Sequence, residues 1–76
     1  MSEKLPRITP ADTIKVLERA GFSFSRQSGS HKIYKNKAGG RVTVPGHSGK
    51  VLHPKTLSSI LRDADLTVEK FKELLK

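Results

Sequence analysis

The stretch "FSFSRQSGSHKIYKNKAGGRVTVP", residues 22–45, decides the fold. From Phe22, "FSFSRQ" alternates apolar and polar residues, the period of a half-buried strand. Ser28-Gly29 signals a turn. "SHKIYKN" then reads as a second strand, with Ile33 and Tyr34 suited to a sheet. Asn36 to Gly40 is a hairpin connection, whose glycines can take positive φ. "RVTVP" is a third strand, with Val42 and Val44 on one face and Pro45 at its end. Three short strands joined by two short connections predict an antiparallel meander.

Helical patterns flank this stretch. Thr9-Pro10-Ala11-Asp12 reads as a helix start: a hydroxyl cap, a proline at the first helical position and an acid at the positive end of the dipole. Ile14, Leu17 and Ala20 follow at helical spacing, with Val16 beside them, and Gly21 is a stop. This predicts a first helix over about residues 10–20. "GHSGKVLH" is a loop. "PKTLSSILRDA" is a second helix with Leu57, Ile60, Leu61 and Ala64 as its apolar stripe. Thr67 caps a short last helix that turns Phe71, Leu74 and Leu75 inward. The order is α-β-β-β-α plus a short C-terminal helix, an α+β chain. The simplest burial covers one sheet face with helices and leaves the other open. We expect a loose N-terminal arm over residues 1–8, one domain over 9–76, and a core of Phe22, Phe24, Ile33, Val42, Leu57 and Ile60.

A chain of 76 residues forms one small domain. It buries only about 60% of the surface exposed when unfolded. Cysteine is absent, which excludes a disulfide framework, a cysteine zinc site and a thiol nucleophile, and fits the cytoplasm. "MSEKLPRITP" has no apolar stretch of the signal-peptide kind, and no run approaches the ~20 apolar residues of a membrane span.

Charge points to the partner. Fifteen Lys and Arg against seven Asp and Glu give a net +8. No acidic residue lies between Arg19 and Arg62, a stretch holding seven Lys and Arg and all three histidines. Phosphate contacts dominate nucleic-acid affinity, so a polyanion is the natural partner. A lipid-binding helix would need a basic amphipathic pattern, whereas these charges fall mainly on strands and loops.

Among residue types that carry chemistry, the histidines stand first. No pair sits at i, i+4 on a helix, so a metal site is not expected. A Ser-His-Asp triad lacks its acid in the central stretch. "GHSGK" lacks the spacing of a P-loop. What remains is metal-free proton transfer by imidazole among cations. RNA brings its own nucleophile, the 2′-hydroxyl, so a protein that holds the phosphate and offers one acid or base needs no cofactor to cut it. His31 suits that task. On chemistry alone, a structural or phosphate-contacting role for it stays open. Strand parity sets His31 on the side of Ile33, so it must lie at the sheet's margin to reach solvent.

"AGFSFSRQSGSHKIYKN" followed by "GRVTVPGHSGKVLHPKTLSSILRDADLT" resembles the HicA family of toxins, small ribonucleases of toxin–antitoxin pairs. The likeness runs from about Ile14 to Leu75. It lies in the order of its parts: "AGF", "RQxGSH", "VTVP", "HxGK", a proline and "TLxxIL". The resemblance implies a fold like double-stranded-RNA-binding domains, with helices on one face of a three-stranded antiparallel sheet. It implies cleavage of mRNA, with His31 of Gly-Ser-His as the catalytic residue, and a neutralising HicB-type antitoxin as partner. One departure is Lys32, where relatives often carry a second histidine.

Beside His31 we place Ser30, Lys32, Lys35, Arg26, His47 and Lys50 as RNA or phosphate contacts. Several residues around the site have plainer readings. Gly29 serves its turn, Tyr34 packs rather than stacks on a base, and His53 ends the loop before Pro54. Ser30 caps the turn or touches phosphate. His47 and Lys50 either contact substrate or belong to a solvated loop. Two rivals stand beside an endoribonuclease: a non-catalytic RNA-binding module of the same fold, and a protein whose basic face only docks an acidic partner.

Overall fold

The computed structural model describes residues 7–46 and 51–76. In chain order the elements are α1 (Pro10–Arg19), β1 (Ser23–Ser28), β2 (His31–Lys35), β3 (Arg41–Pro45), α2 (Pro54–Asp63) and α3 (Val68–Leu75). The strands form one antiparallel sheet in the order β1-β2-β3, with β2 in the middle. This is the expected α+β arrangement. No helix among the described residues is long and apolar enough to cross a membrane.

Local chemistry sets the helix ends. The Thr9 hydroxyl accepts from the Asp12 N–H at 3.2 Å, and the Asp12 carboxylate accepts from the Thr9 N–H at 3.2 Å. This reciprocal capping box satisfies two groups that would otherwise lack partners. At the other end of α1, Gly21 takes φ +98°. The Phe22 N–H then donates to the Leu17 carbonyl at 2.9 Å and the Gly21 N–H to Glu18 at 3.2 Å, a Schellman stop. His53 caps α2: its Nδ1 accepts from the Lys55 N–H at 3.1 Å. Thr67 caps α3 through the Lys70 N–H at 3.0 Å. Arg19 donates to the Leu74 and Lys76 carbonyls, joining the end of α1 to the end of α3.

The sheet has two faces of different character. Tyr34 pairs with Val42 and Lys32 with Val44, and directly opposed residues share a face. Tyr34, Val42 and Val44 join Val16, Leu17, Leu57, Ile60 and Phe71 in the core. Each large apolar side chain fully buried there is worth about 1.5–3 kcal/mol. The opposite parity puts His31, Ile33 and Lys35 on the other face.

Three expectations about packing are revised. Phe24 is 52% exposed and not core. It lies on edge strand β1, beside the bulge between Phe24 and Arg26, and meets Tyr34 edge-on at 5.8 Å. Ile33 is buried but stands outside the core cluster, on the face away from the helices. Ile8, expected within the loose arm, is 1% exposed, and its carbonyl accepts from the Leu52 N–H at 2.7 Å. Residues 1–6 lie outside the described residues.

Candidate functional site

His31 is the first residue of the central strand and is exposed. Its position follows from the backbone around it. Gly29 and Ser30 form the connection from β1, with Gly29 at φ +58°. The Gln27 side-chain amide donates to the Gly29 carbonyl at 2.9 Å and steadies that turn. From the other side, the Gly46 N–H donates to the Ser30 carbonyl at 2.6 Å. The chain entering His31 is therefore held by the ends of both neighbouring strands. The register sets Ser28 opposite His31 on β1 and Pro45 opposite it on β3. Parity resolves the earlier tension: His31 does share a face with Ile33, but that face carries no helix, so imidazole reaches solvent from the middle strand.

The same register assembles the rest of the face. Arg26 stands opposite Ile33, and Ile33 opposite Thr43. Lys35 stands between Ser23 and Arg41. No carboxylate belongs to any of the three strands. Arg26, Lys35 and Arg41 are exposed and have no acidic partner among the described residues. The face thus offers an imidazole, three cations and the hydroxyls of Ser23, Ser28 and Thr43. It suits phosphate binding with one proton-transferring group at its end.

The expected contacts divide. Arg26 and Lys35 share the face of His31. Ser30 lies in the turn before it. Lys32 does not accompany His31: it is on the helix-facing side, lining a cavity of about 330 Å³ with Thr9, Ile14, Gln27, Ser30 and Val44. Consecutive strand residues point to opposite faces, so neighbours in sequence are separated here. His47 and Lys50 lie outside the described residues. Tyr34 packs as expected, 4% exposed. Burial pushes its phenol pKa up, and the charge of Glu18 adds to this. Among the described residues no three His, Asp or Glu side chains converge as metal ligands would. Ser28 and Arg41 were not among the expected contacts. The alternation around buried Val42 and Val44 marks Arg41 as outward, but pairing it with Lys35 requires the hairpin register.

Residues 10–66, more than half of the chain, match the family model described as HicA toxin of bacterial toxin-antitoxin. That span contains all three strands and the His31 turn. A search of curated proteins gave no match.

Proposed function

The chain belongs to the HicA toxin family, the toxins of toxin–antitoxin pairs, and on that premise we propose that it is an endoribonuclease that cuts mRNA in the cytoplasm. His31 is its catalytic residue, and a HicB-type antitoxin neutralises it. The observation that carries this is the exposed imidazole at the start of the central strand, on a face whose three cations have no acidic partner among the described residues.

The chemistry needs little else. The 2′-oxygen attacks the adjacent phosphorus and the bond to the 5′-oxygen breaks. His31 takes the proton from the 2′-hydroxyl as it attacks, or in its protonated form gives one to the departing 5′-oxygen. Arg26, beside His31 on the same face, holds the phosphate charge that grows in the transition state. The products end in a 2′,3′-cyclic phosphate and a 5′-hydroxyl. No metal or cofactor takes part in these steps.

The test uses purified wild-type and His31→Ala proteins on end-labelled RNA in EDTA, with circular dichroism on both. Wild type should cleave, and a folded His31→Ala should lose about 10²- to 10⁴-fold in rate, the usual worth of general acid–base catalysis. Unchanged cleavage by the folded variant would remove His31 from the mechanism. RNA binding by wild type without cleavage would favour the non-catalytic RNA-binding module.

A further inference from the structure

Lys35 and Arg41 are directly opposed on neighbouring strands, on one exposed face. Like charges in that position destabilise a sheet, because their Cβ atoms lie about 5 Å apart. No acid relieves the pair among the described residues. Arg26 adds a third unpaired cation on the same face, opposite Ile33. Strand geometry spaces these groups diagonally across the sheet: Arg26 on β1 lies opposite Ile33, about 7 Å along β2 from His31, and Lys35, with Arg41 opposite it on β3, lies about 14 Å along. Repulsion built into an exposed sheet is relieved when a chain of anions lies across it.

We propose that Arg26, Lys35 and Arg41 form a phosphate track on the open sheet face, along which a single RNA strand runs from its scissile phosphate at His31 toward the β2–β3 hairpin. The proposal rests on the reading of His31 as the cutting residue only for the place where the strand begins. The track grips the backbone and not the bases. Its described residues present no exposed aromatic ring: Tyr34 and Phe24 belong to the helix-facing parity, and the apolar Ile33 is buried. Phosphate contacts position a nucleic acid without reading its sequence. The track therefore adds affinity for RNA of any sequence and leaves sequence choice to other contacts.

The probe is a fluorescein-labelled 2′-O-methyl oligoribonucleotide, which lacks the nucleophile and stays intact. Its affinity is measured across a salt titration for wild type, Arg26→Ala, Lys35→Ala, Arg41→Ala and the triple variant. Lys15→Ala and Lys55→Ala, exposed cations on the helices, serve as controls. Each track variant should lower the log–log salt slope by about 0.7 and weaken binding about fivefold at 0.1 M salt; the triple variant should lower the slope by about 2. The losses should be equal on purine-rich and pyrimidine-rich probes. A separate variant, Lys35→Glu, places opposite charges across the strands. It should raise the melting temperature of the free protein by a few degrees while weakening RNA binding, a divergence that a merely structural role does not produce. Equal losses from the helix cations and the track would overturn the proposal, as would a triple variant that binds like wild type. If the track variants lose binding but wild type never cleaves intact RNA, the track stands and the endoribonuclease fails. If wild type cleaves and Lys35→Ala and Arg41→Ala bind and cleave normally, the track fails and the endoribonuclease stands.

Discussion

Gly46→Ala tests whether the turn before His31 is held in place by the end of β3. An ideal Cβ on Gly46 would lie 2.5 Å from the Ser30 carbonyl oxygen, where real Cβ contacts stay beyond 3.0 Å. The obstacle is backbone, not the tip of a flexible side chain, so the two segments must separate by about half an ångström or more. That movement stretches the 2.6 Å hydrogen bond from the Gly46 N–H to the same oxygen. Overpacking of this kind costs about 1–3 kcal/mol, and each kcal/mol lowers the melting temperature of so small a domain by roughly 4–8 °C. Ser30 directly precedes His31, and misplacement by about 1 Å can cost ~100-fold in rate, so kcat should fall roughly tenfold or more with KM less affected. Gly21→Ala is the control. Its Cβ meets nothing within 4 Å, but the φ of +98° makes any side chain strained there, at about 1–2 kcal/mol. It should destabilise comparably and, since it lies before β1, at the end of that strand away from His31, leave kcat near wild type. The assays are thermal melts, RNA cleavage kinetics and amide NMR shifts of Ser30 and His31. Unaltered melting and turn shifts in Gly46→Ala would refute the reasoning. So would equal loss of kcat in Gly21→Ala, since activity would then follow global stability and not the placement of the turn.

Other outcomes follow from the same geometry. Tyr34, the single tyrosine, should ionise above 10.0, because burial and Glu18 raise its pKa. The unfolded chain loses its phenol proton first, so stability present below pH 10 should fall as pH rises past it; ultraviolet titration beside alkaline melts checks this, and ionisation at the ordinary value would contradict it. Asp65 ends α2 at φ +57°, a conformation glycine takes without strain. Asp65→Gly should stabilise by about 0.5–1 kcal/mol in a denaturant titration, and a loss of stability would show that the aspartate contributes more than its backbone strain. Thr9→Ala should cost about 1 kcal/mol by removing the α1 cap, with little effect on RNA cleavage; a thermal melt with no shift would count against the cap.

Most of the fold was legible from local chemistry. Thr9-Pro10-Asp12, Gly21 and Thr67 act within a turn of where they stand, so the local sequence places the ends of α1 and the start of α3. Strand β3 was legible because Val42 and Val44 alternate with polar residues and its partner face is the core. His31 was legible as a candidate because imidazole among cations is chemically distinctive, and because the motif around it resembled a family. What the sequence could not supply was the side of the sheet. A single bulge shifts every later side chain of a strand to the other face, and the irregularity between Phe24 and Arg26 does this in β1. It leaves Phe24 and Arg26 on opposite faces although they are two apart, and brings Arg26 to the side of His31. Register across the β2–β3 hairpin likewise decided that Lys35 meets Arg41, and the placing of the helices decided that Lys32 faces them and that Ile33 is buried outside the core cluster. These are relations between strands. They depend on hydrogen-bond pairing over many residues and on which face the helices cover, and no short window of sequence encodes either.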